Sequence, residues 1–175
     1  MIRGRPKEQS DETGEAPAKK CPQCGTLCHA ALSACPNCGY EFPPPEPVRR
    51  VRQVVASADG IWFFTPEYNH FFPGVLKNLI DWLSRPAEPG GGQVLDGKPA
   101  AISGASLGMS GTGLAQDHLV TLISFLNMKV MNFPRLTIPD VWKQLDDRKK
   151  LKLSDSATFL QKQVDAFLAF LQNNQ

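Results

Sequence analysis

No apolar run in this chain of 175 residues approaches the length that a membrane-spanning helix needs, which argues against a helical membrane protein. No apolar stretch follows the charged start Met1-Ile2-Arg3-Gly4-Arg5-Pro6, so a secretory signal is not expected. Net charge is nearly lacking as well. A formal +2 gives no bulk-charge argument for a nucleic-acid or membrane surface. Cysteine is absent outside the stretch from Cys21 to Cys38, where all five lie. That clustering argues against a disulfide framework and points to metal binding in a reducing compartment, so a cytoplasmic location is expected.

What is present is an ordinary globular composition, 42% hydrophobic and 21% charged. The length favours one main domain plus a small accessory unit. Residues 1–20 are polar and without apolar period, and are expected to form a disordered tail. Residues 21–42 hold the cysteines. Residues 43–47, Pro43-Pro44-Pro45-Glu46-Pro47, predict a stiff linker. Residues 48–175 carry nearly all the aliphatic content and can form a core.

Cys21-Pro22-Gln23-Cys24, ten residues, then Cys35-Pro36-Asn37-Cys38 is a double CxxC pattern. Each CxxC turns tightly and aims two thiolates at one point. Two such knuckles complete a tetrahedral sulfur shell for Zn2+. Four thiolates leave no open coordination position, so Cys21, Cys24, Cys35 and Cys38 predict a structural zinc ribbon rather than a catalytic metal. Cys28 and His29 are then a spare surface thiol and a solvated imidazole. Small ribbons of this type bind nucleic acid, protein or neither; Lys19, Lys20, Arg49, Arg50 and Arg52 give weak support for nucleic acid.

The larger part alternates helix and strand signals. Val48, Val51, Val55 and Ala58 share a helical face over 47–58, and Asp59-Gly60 ends it. Ile61-Trp62-Phe63-Phe64 reads as a buried parallel strand. Residues 73–83 predict a helix with Pro73 at its start and Val75, Leu79 and Trp82 on its core face. Lys77 and Asp81 are spaced as a surface ion pair. Residues 88–92 read as a loop. Pro99 to Ser103 is a second strand, Leu114 to Asn127 a helix, and Lys129 to Phe133 a third strand. The last helix is expected over 155–171, with Ser154 as N-cap and Phe159, Leu160, Val164, Phe167, Leu168 and Leu171 on one face. Such alternation implies an α/β fold with a parallel sheet and helices on both faces. Gly108-x-x-Gly111-x-Gly113, ahead of a helix, could cradle a phosphate, although it lacks the lysine of a nucleoside-triphosphate loop. His70 and His118 carry no assigned duty.

Thr65-Pro66-Glu67-Tyr68-Asn69, with Pro73-Gly74-Val75-Leu76-Lys77-Asn78 and Asp81-Trp82, resembles the NADPH-dependent FMN reductase family of quinone, chromate and azo-dye reductases. The likeness continues through Asp96-Gly97-Lys98-Pro99 and Gly104-Ala105-Ser106 to Gly111 and Ala115-Gln116. It implies a flavodoxin-like fold, FMN as cofactor, NAD(P)H as hydride donor, and a quinone-like or other small molecule as electron acceptor. By the same resemblance Pro66, Glu67, Tyr68 and Asn69 would line the flavin ring, largely through backbone groups. Gly104, Ala105 and Ser106 would approach it from the neighbouring strand end. No side-chain acid or base is nominated as catalytic.

The chain departs from that family pattern at its beginning. No Gly-Ser-rich phosphate loop precedes residue 59, and Leu114 stands where relatives often carry arginine. The family's first strand, first helix and second strand are expected to be missing, which leaves Ile61–Phe64 as a sheet edge. A homo-oligomer or other partner is expected to cover that edge. An alternative reading is a non-catalytic zinc-ribbon module, binding protein or nucleic acid, on a degenerate flavodoxin-like half. A third is a fusion or truncation product without stable function.

Overall fold

The computed structural model of the chain describes residues 18–30, 32–86, 91–153 and 156–174. Most of the expected tail, the tip of the 88–92 loop and the expected N-cap Ser154 lie outside the described residues. Two compact units result, one ending at Pro44 and one beginning at Pro45.

In the smaller unit, β1 (Ala18–Lys20) pairs antiparallel with β2 (Leu27–His29), so the ordered ribbon begins within the expected tail. An isolated bridge joins Ala34 to Glu41. Tyr40 and Phe42 meet edge to face at 5.5 Å, and Lys19 Nζ lies 3.8 Å from the Phe42 ring centroid.

The larger unit opens with α1 (Glu46–Ser57), so Glu46 and Pro47 are helix rather than linker. Proline is tolerated in a first helical turn, where its missing N–H would have had no partner. There follow β3 (Ile61–Phe64), α2 (Gly74–Leu83), β4 (Pro99–Ala105), α3 (Gly113–Phe125), β5 (Lys129–Val130), β6 (Leu136–Ile138) and α4 (Ala157–Gln172). Every pairing in this sheet is parallel, with β4 in the centre. β3 lies along one side of β4. β5 and β6 lie along the other, as two halves of one interrupted line. The expected strand Lys129–Phe133 is thus cut short. Pro134 sits in the break with no N–H to donate to a ladder.

Alternation along β4 sorts the core. Ala100 and Ile102 point to one face and pack with Ile80, Leu119 and Ile123 of α2 and α3. Ala101 points to the other face and packs with Phe167 of α4. β3 behaves as a sheet edge and not as a strand buried on both faces. Among the described residues it pairs only with β4; Phe63 is buried, while Phe64 is 68% exposed and stacks on Trp62. No helix among the described residues is long and apolar enough to cross a membrane.

Three helix faces differ from expectation. On α2 the inward stripe is Leu76, Ile80 and Leu83, whereas Val75 is 80% exposed. Leu79 is exposed too. Both stripes have i, i+4, i+7 spacing and are one residue apart, so periodicity alone does not choose between them. On α4, Gln163 and Phe167 are buried while Phe159 and Leu168 are exposed. On α1 the buried residue is Arg52. Its guanidinium donates to the carbonyls of Trp82 at 2.6 Å and Pro86 at 3.3 Å, so a cation closes the carboxyl end of α2. Burial lowers the Arg52 pKa. Arg52→Met keeps an apolar stem but leaves those carbonyls unpaired. It should destabilise the chain by about 1–3 kcal/mol, read as a lower urea midpoint at unchanged m-value.

Candidate functional site

β3 and β4 end side by side, and the loops that follow them meet. The ladder runs one residue past β3, where Thr65 N–H donates to Ser103 O at 3.0 Å. Thr65, Gly104 and Thr112 then come together closely. A Cβ on Gly104 would lie 2.2 Å from Thr112 Oγ1 and 2.3 Å from Thr65 O. Only glycine permits that approach. Ser106 N–H donates to Ile138 O at 3.0 Å, which brings in the end of β6.

A cavity of ≈ 330 Å³ opens at these carboxyl ends. Phe64, Thr65 and Pro66 line it from one loop, and Ser103, Gly104 and Ala105 from the next strand. Leu136 and Ile138 of β6, with Leu151, Leu153 and Leu160, complete a wall without a charged side chain among the described residues. Beneath it runs a chain of polar groups. Trp62 Nε1–H donates to Ser103 Oγ at 2.8 Å, and Ser103 Oγ–H donates to Gln163 Oε1 at 2.6 Å. Gln163 Nε2 then donates to the carbonyls of Ile102 and Pro134. These bonds satisfy a buried glutamine and fix the cavity floor.

Of the residues expected around a flavin, Pro66, Gly104 and Ala105 come together on this cavity. Glu67, Tyr68, Asn69 and Ser106 lie outside its lining. Tyr68 and Phe71 exchange both backbone hydrogen bonds, at 2.8 and 3.0 Å. Asn69 and His70 between them have φ of 51° and 63°, a two-residue turn of the primed type. Phe71 stacks on His118, with ring centroids 4.4 Å apart, so both histidines belong to the turn's surroundings. Lys77 and Asp81 form the exposed ion pair their spacing predicts, at 2.7 Å.

Glu67 is not a solvated turn residue. Its side chain is only 7% exposed. One carboxylate oxygen accepts from Ser110 Oγ–H at 2.7 Å, the other from the Ala115 backbone N–H at 3.1 Å. His70 Nδ1 lies 3.5 Å from the first oxygen. Hydrogen bonding from Ser110, ahead of that from Ala115, holds the carboxyl below its ordinary pKa. The expected phosphate cradle ahead of α3 is therefore engaged by a carboxylate of the chain itself. A depressed folded pKa means stability that is present above the unfolded value, about 4.3, and lost as pH falls through the folded value. Acid titration of the unfolding free energy should show a loss below about pH 4 that Glu67→Gln lacks.

The residues not anticipated from the sequence are Ser103, Ser110 and the wall leucines. Ser103 stood one position before a named motif, and Ser110 within the glycine turn. Leu151 and Leu153 carry no local signal, because only the folding of 145–153 against the strand ends brings them there.

In the smaller unit the Sγ atoms of Cys21, Cys24, Cys35 and Cys38 all lie within 4.8 Å of one another. Cys21 to Cys38 and Cys24 to Cys35 are both 3.6 Å. Gly25 and Gly39 adopt φ of 77° and 73° and close each knuckle by donating to Cys21 O and Cys35 O. Hydrogen bonds from the Thr26 side chain and backbone pull the Cys24 thiol down to about 5, toward the thiolate a metal requires. The set is compatible with a tetrahedral ion. Cys28 is not a surface thiol. It is 3% exposed, with its sulfur 3.7 Å from that of Cys35.

Residues 20–143 match the family model for NADPH-dependent FMN reductase. A 2-hydroxy-1,4-benzoquinone reductase of Burkholderia sp is 38% identical over 136 residues, 78% of this chain and 73% of the relative. An NAD(P)H-dependent FMN reductase of Pseudomonas aeruginosa is 42% identical, covering 71% of this chain and 64% of the relative. A quinone reductase of Escherichia coli is 37% identical, covering 73% and 66%. The chain thus spans roughly two thirds of the length of these proteins. Among solved structures, the flavoenzyme NAD(P)H:(acceptor) oxidoreductase FerB from Paracoccus denitrificans superposes with a TM-score of 0.65 at 34% identity, covering 74% of this chain and 70% of that one. An oxidoreductase from Corynebacterium diphtheriae, at 20% identity and a TM-score of 0.52, shares the fold.

Proposed function

The chain belongs to the NADPH-dependent FMN reductase family, and on that premise we propose that it is an FMN-dependent NAD(P)H oxidoreductase serving a quinone-like small acceptor. The observation that carries this reading is the cavity at the ends of β3 and β4, apolar among the described residues and framed by Pro66, Gly104 and Ala105. Pro66, Gly104 and Ala105 would hold the ring of FMN there, and the cofactor would supply the redox chemistry between the nicotinamide and the acceptor.

The residues present fit the ring part of that cofactor. Gly104 has no side chain to hold a flat ring away from the backbone. Pro66 and Ala105 offer apolar surface on either side, and the leucine wall excludes water. Tyr68, Asn69 and Ser106 are assigned to the rim, where the Tyr68 and Ser106 hydroxyls and the Asn69 backbone can bond the polar edge of the ring. The same wall accommodates an uncharged, planar electron acceptor better than an anionic one, because no cation lines it among the described residues. A second polypeptide chain along the outer side of β3 belongs to this reading, since that edge has no strand partner among the described residues.

We assign Cys21, Cys24, Cys35 and Cys38 to a structural zinc. Reduced thiols are required for it, which suits a cytoplasmic location.

Visible spectroscopy with metal analysis tests both assignments. The purified chain, titrated with FMN, should show a bound flavin band that NADPH bleaches without air and benzoquinone restores, with one zinc per chain. A chain that stays colourless when saturated with FMN, yet holds zinc, sinks the enzyme reading and leaves the zinc-ribbon interaction module.

A further inference from the structure

α3 has no cap of its own. Thr112, at its N-cap, has φ of 79° and makes no side-chain capping bond; its hydroxyl accepts from Gln116 Nε2 instead. Gly113 N–H donates to Ser110 O at 2.9 Å, while the N–H groups of Leu114 and Ala115 have no carbonyl within the helix to reach. Glu67, 48 residues earlier, supplies a partner through its bond to Ala115, and holds Ser110 with its other oxygen. The helix's positive end favours a carboxylate there. Because the side chain is nearly buried and outside the cavity lining, it is aimed away from the cavity and into the neighbouring loop.

We infer that Glu67 is a positioning residue: its carboxylate clamps the loop after β3 to the turn ahead of α3 and so sets the gap into which the flavin ring docks. The inference rests on the FMN reading above. One joined segment carries Pro66 of the cavity lining, and the other follows directly on β4, whose Ser103, Gly104 and Ala105 line the opposite side. Displacements of about 1 Å in such a shell are enough to weaken binding or turnover strongly. The clamp is charge-assisted, whereas the other ties between these loops are neutral hydrogen bonds and packing at Gly104. His70 Nδ1, largely exposed, lies 3.5 Å from the same carboxylate.

The test uses the full chain with FMN as probe, in wild type, Glu67→Gln, Glu67→Ala and Ser110→Ala. FMN affinity and dissociation rate are read by flavin fluorescence, and apo stability by thermal melting. Glu67→Ala should weaken FMN about tenfold or more. Glu67→Gln, which keeps an acceptor for one of the two bonds, should recover part of that loss. Ser110→Ala should fall between wild type and Glu67→Ala. A residue that served stability alone would lower the melting temperature and leave FMN affinity in the folded fraction untouched; that result overturns the inference. Should Glu67→Ala fail to fold, unchanged FMN dissociation in both Glu67→Gln and Ser110→Ala overturns it equally. A wild type that binds no FMN removes the functional reading together with this one. A wild type that binds FMN beside an equally tight Glu67→Ala removes this inference alone.

Discussion

Serine in place of Cys35 should unfold the small amino-terminal unit and leave the α/β unit folded. Among its described residues the smaller unit has almost no aliphatic interior. Its buried cluster is Cys21, Cys28 and Cys35, with Cys38, Tyr40 and Phe42 packed against it. A unit of this size cannot offset its own chain entropy with so little apolar surface. On the proposed zinc assignment metal binding supplies the difference, since structural zinc in zinc-finger peptides contributes about 10–16 kcal/mol of apparent binding free energy at neutral pH. Removing one of four ligands forfeits enough of that to leave the unit unfolded. Bound zinc should fall from one per chain to near zero, and the resonances of Tyr40 and Phe42 should collapse to random-coil positions. A strong chelator should do the same to the wild type. Cys28→Ser is the informative partner, because Cys28 lies against Cys35 without being one of the four convergent sulfurs. It should keep its zinc. If Cys35→Ser holds zinc as tightly as wild type, the four-thiolate assignment is wrong.

Gly104→Val should abolish FMN binding and destabilise the larger unit by about 3 kcal/mol or more. The argument is steric. The first carbon of any side chain at this position overlaps Thr112 Oγ1 and the Thr65 carbonyl oxygen. One of those is main chain at the end of β3. The other belongs to a fully buried threonine already engaged with Gln116. Neither can yield without moving β3 from β4 or α3 from the sheet, and these same movements pull apart the cavity walls. Gly108→Ala supplies the contrast, since a Cβ there meets nothing within 4 Å. It should be neutral to within about 0.5 kcal/mol. Thermal melting and FMN titration of the two variants, side by side, check the claim. Comparable behaviour of the pair would show that the close approach at Gly104 does not shape the site.

The fate of α2 illustrates how far a linear pattern reaches. Ten helical residues from Gly74 were predicted within one residue, because a proline start and an apolar period are local signals. Val75 and Leu79 nonetheless face outward, and Trp82 is half-buried. Their neighbours Leu76, Ile80 and Leu83 repeat with the same spacing, and only the position of the sheet picks one stripe over the other. Arg52 and Gln163 were invisible for a related reason. A polar residue goes inward when fixed carbonyls wait for it, and those carbonyls belong to α2, β4 and the segment near Pro134.

Chain order alone was enough for whatever depends on neighbours a few positions apart: the paired knuckles that converge four sulfurs, the alternation of strands and helices, and the motif at Thr65–Asn69 that carries the family. Three-dimensional packing was needed for whatever depends on a distant partner. It turned the carboxylate of Glu67 away from the cavity and onto the start of α3, and brought Leu151 and Leu153 to the wall. Spacing along a chain sets turn and period over a few residues. The direction in which a charge or a face is satisfied is a property of the surface it meets, which sequence spacing does not encode.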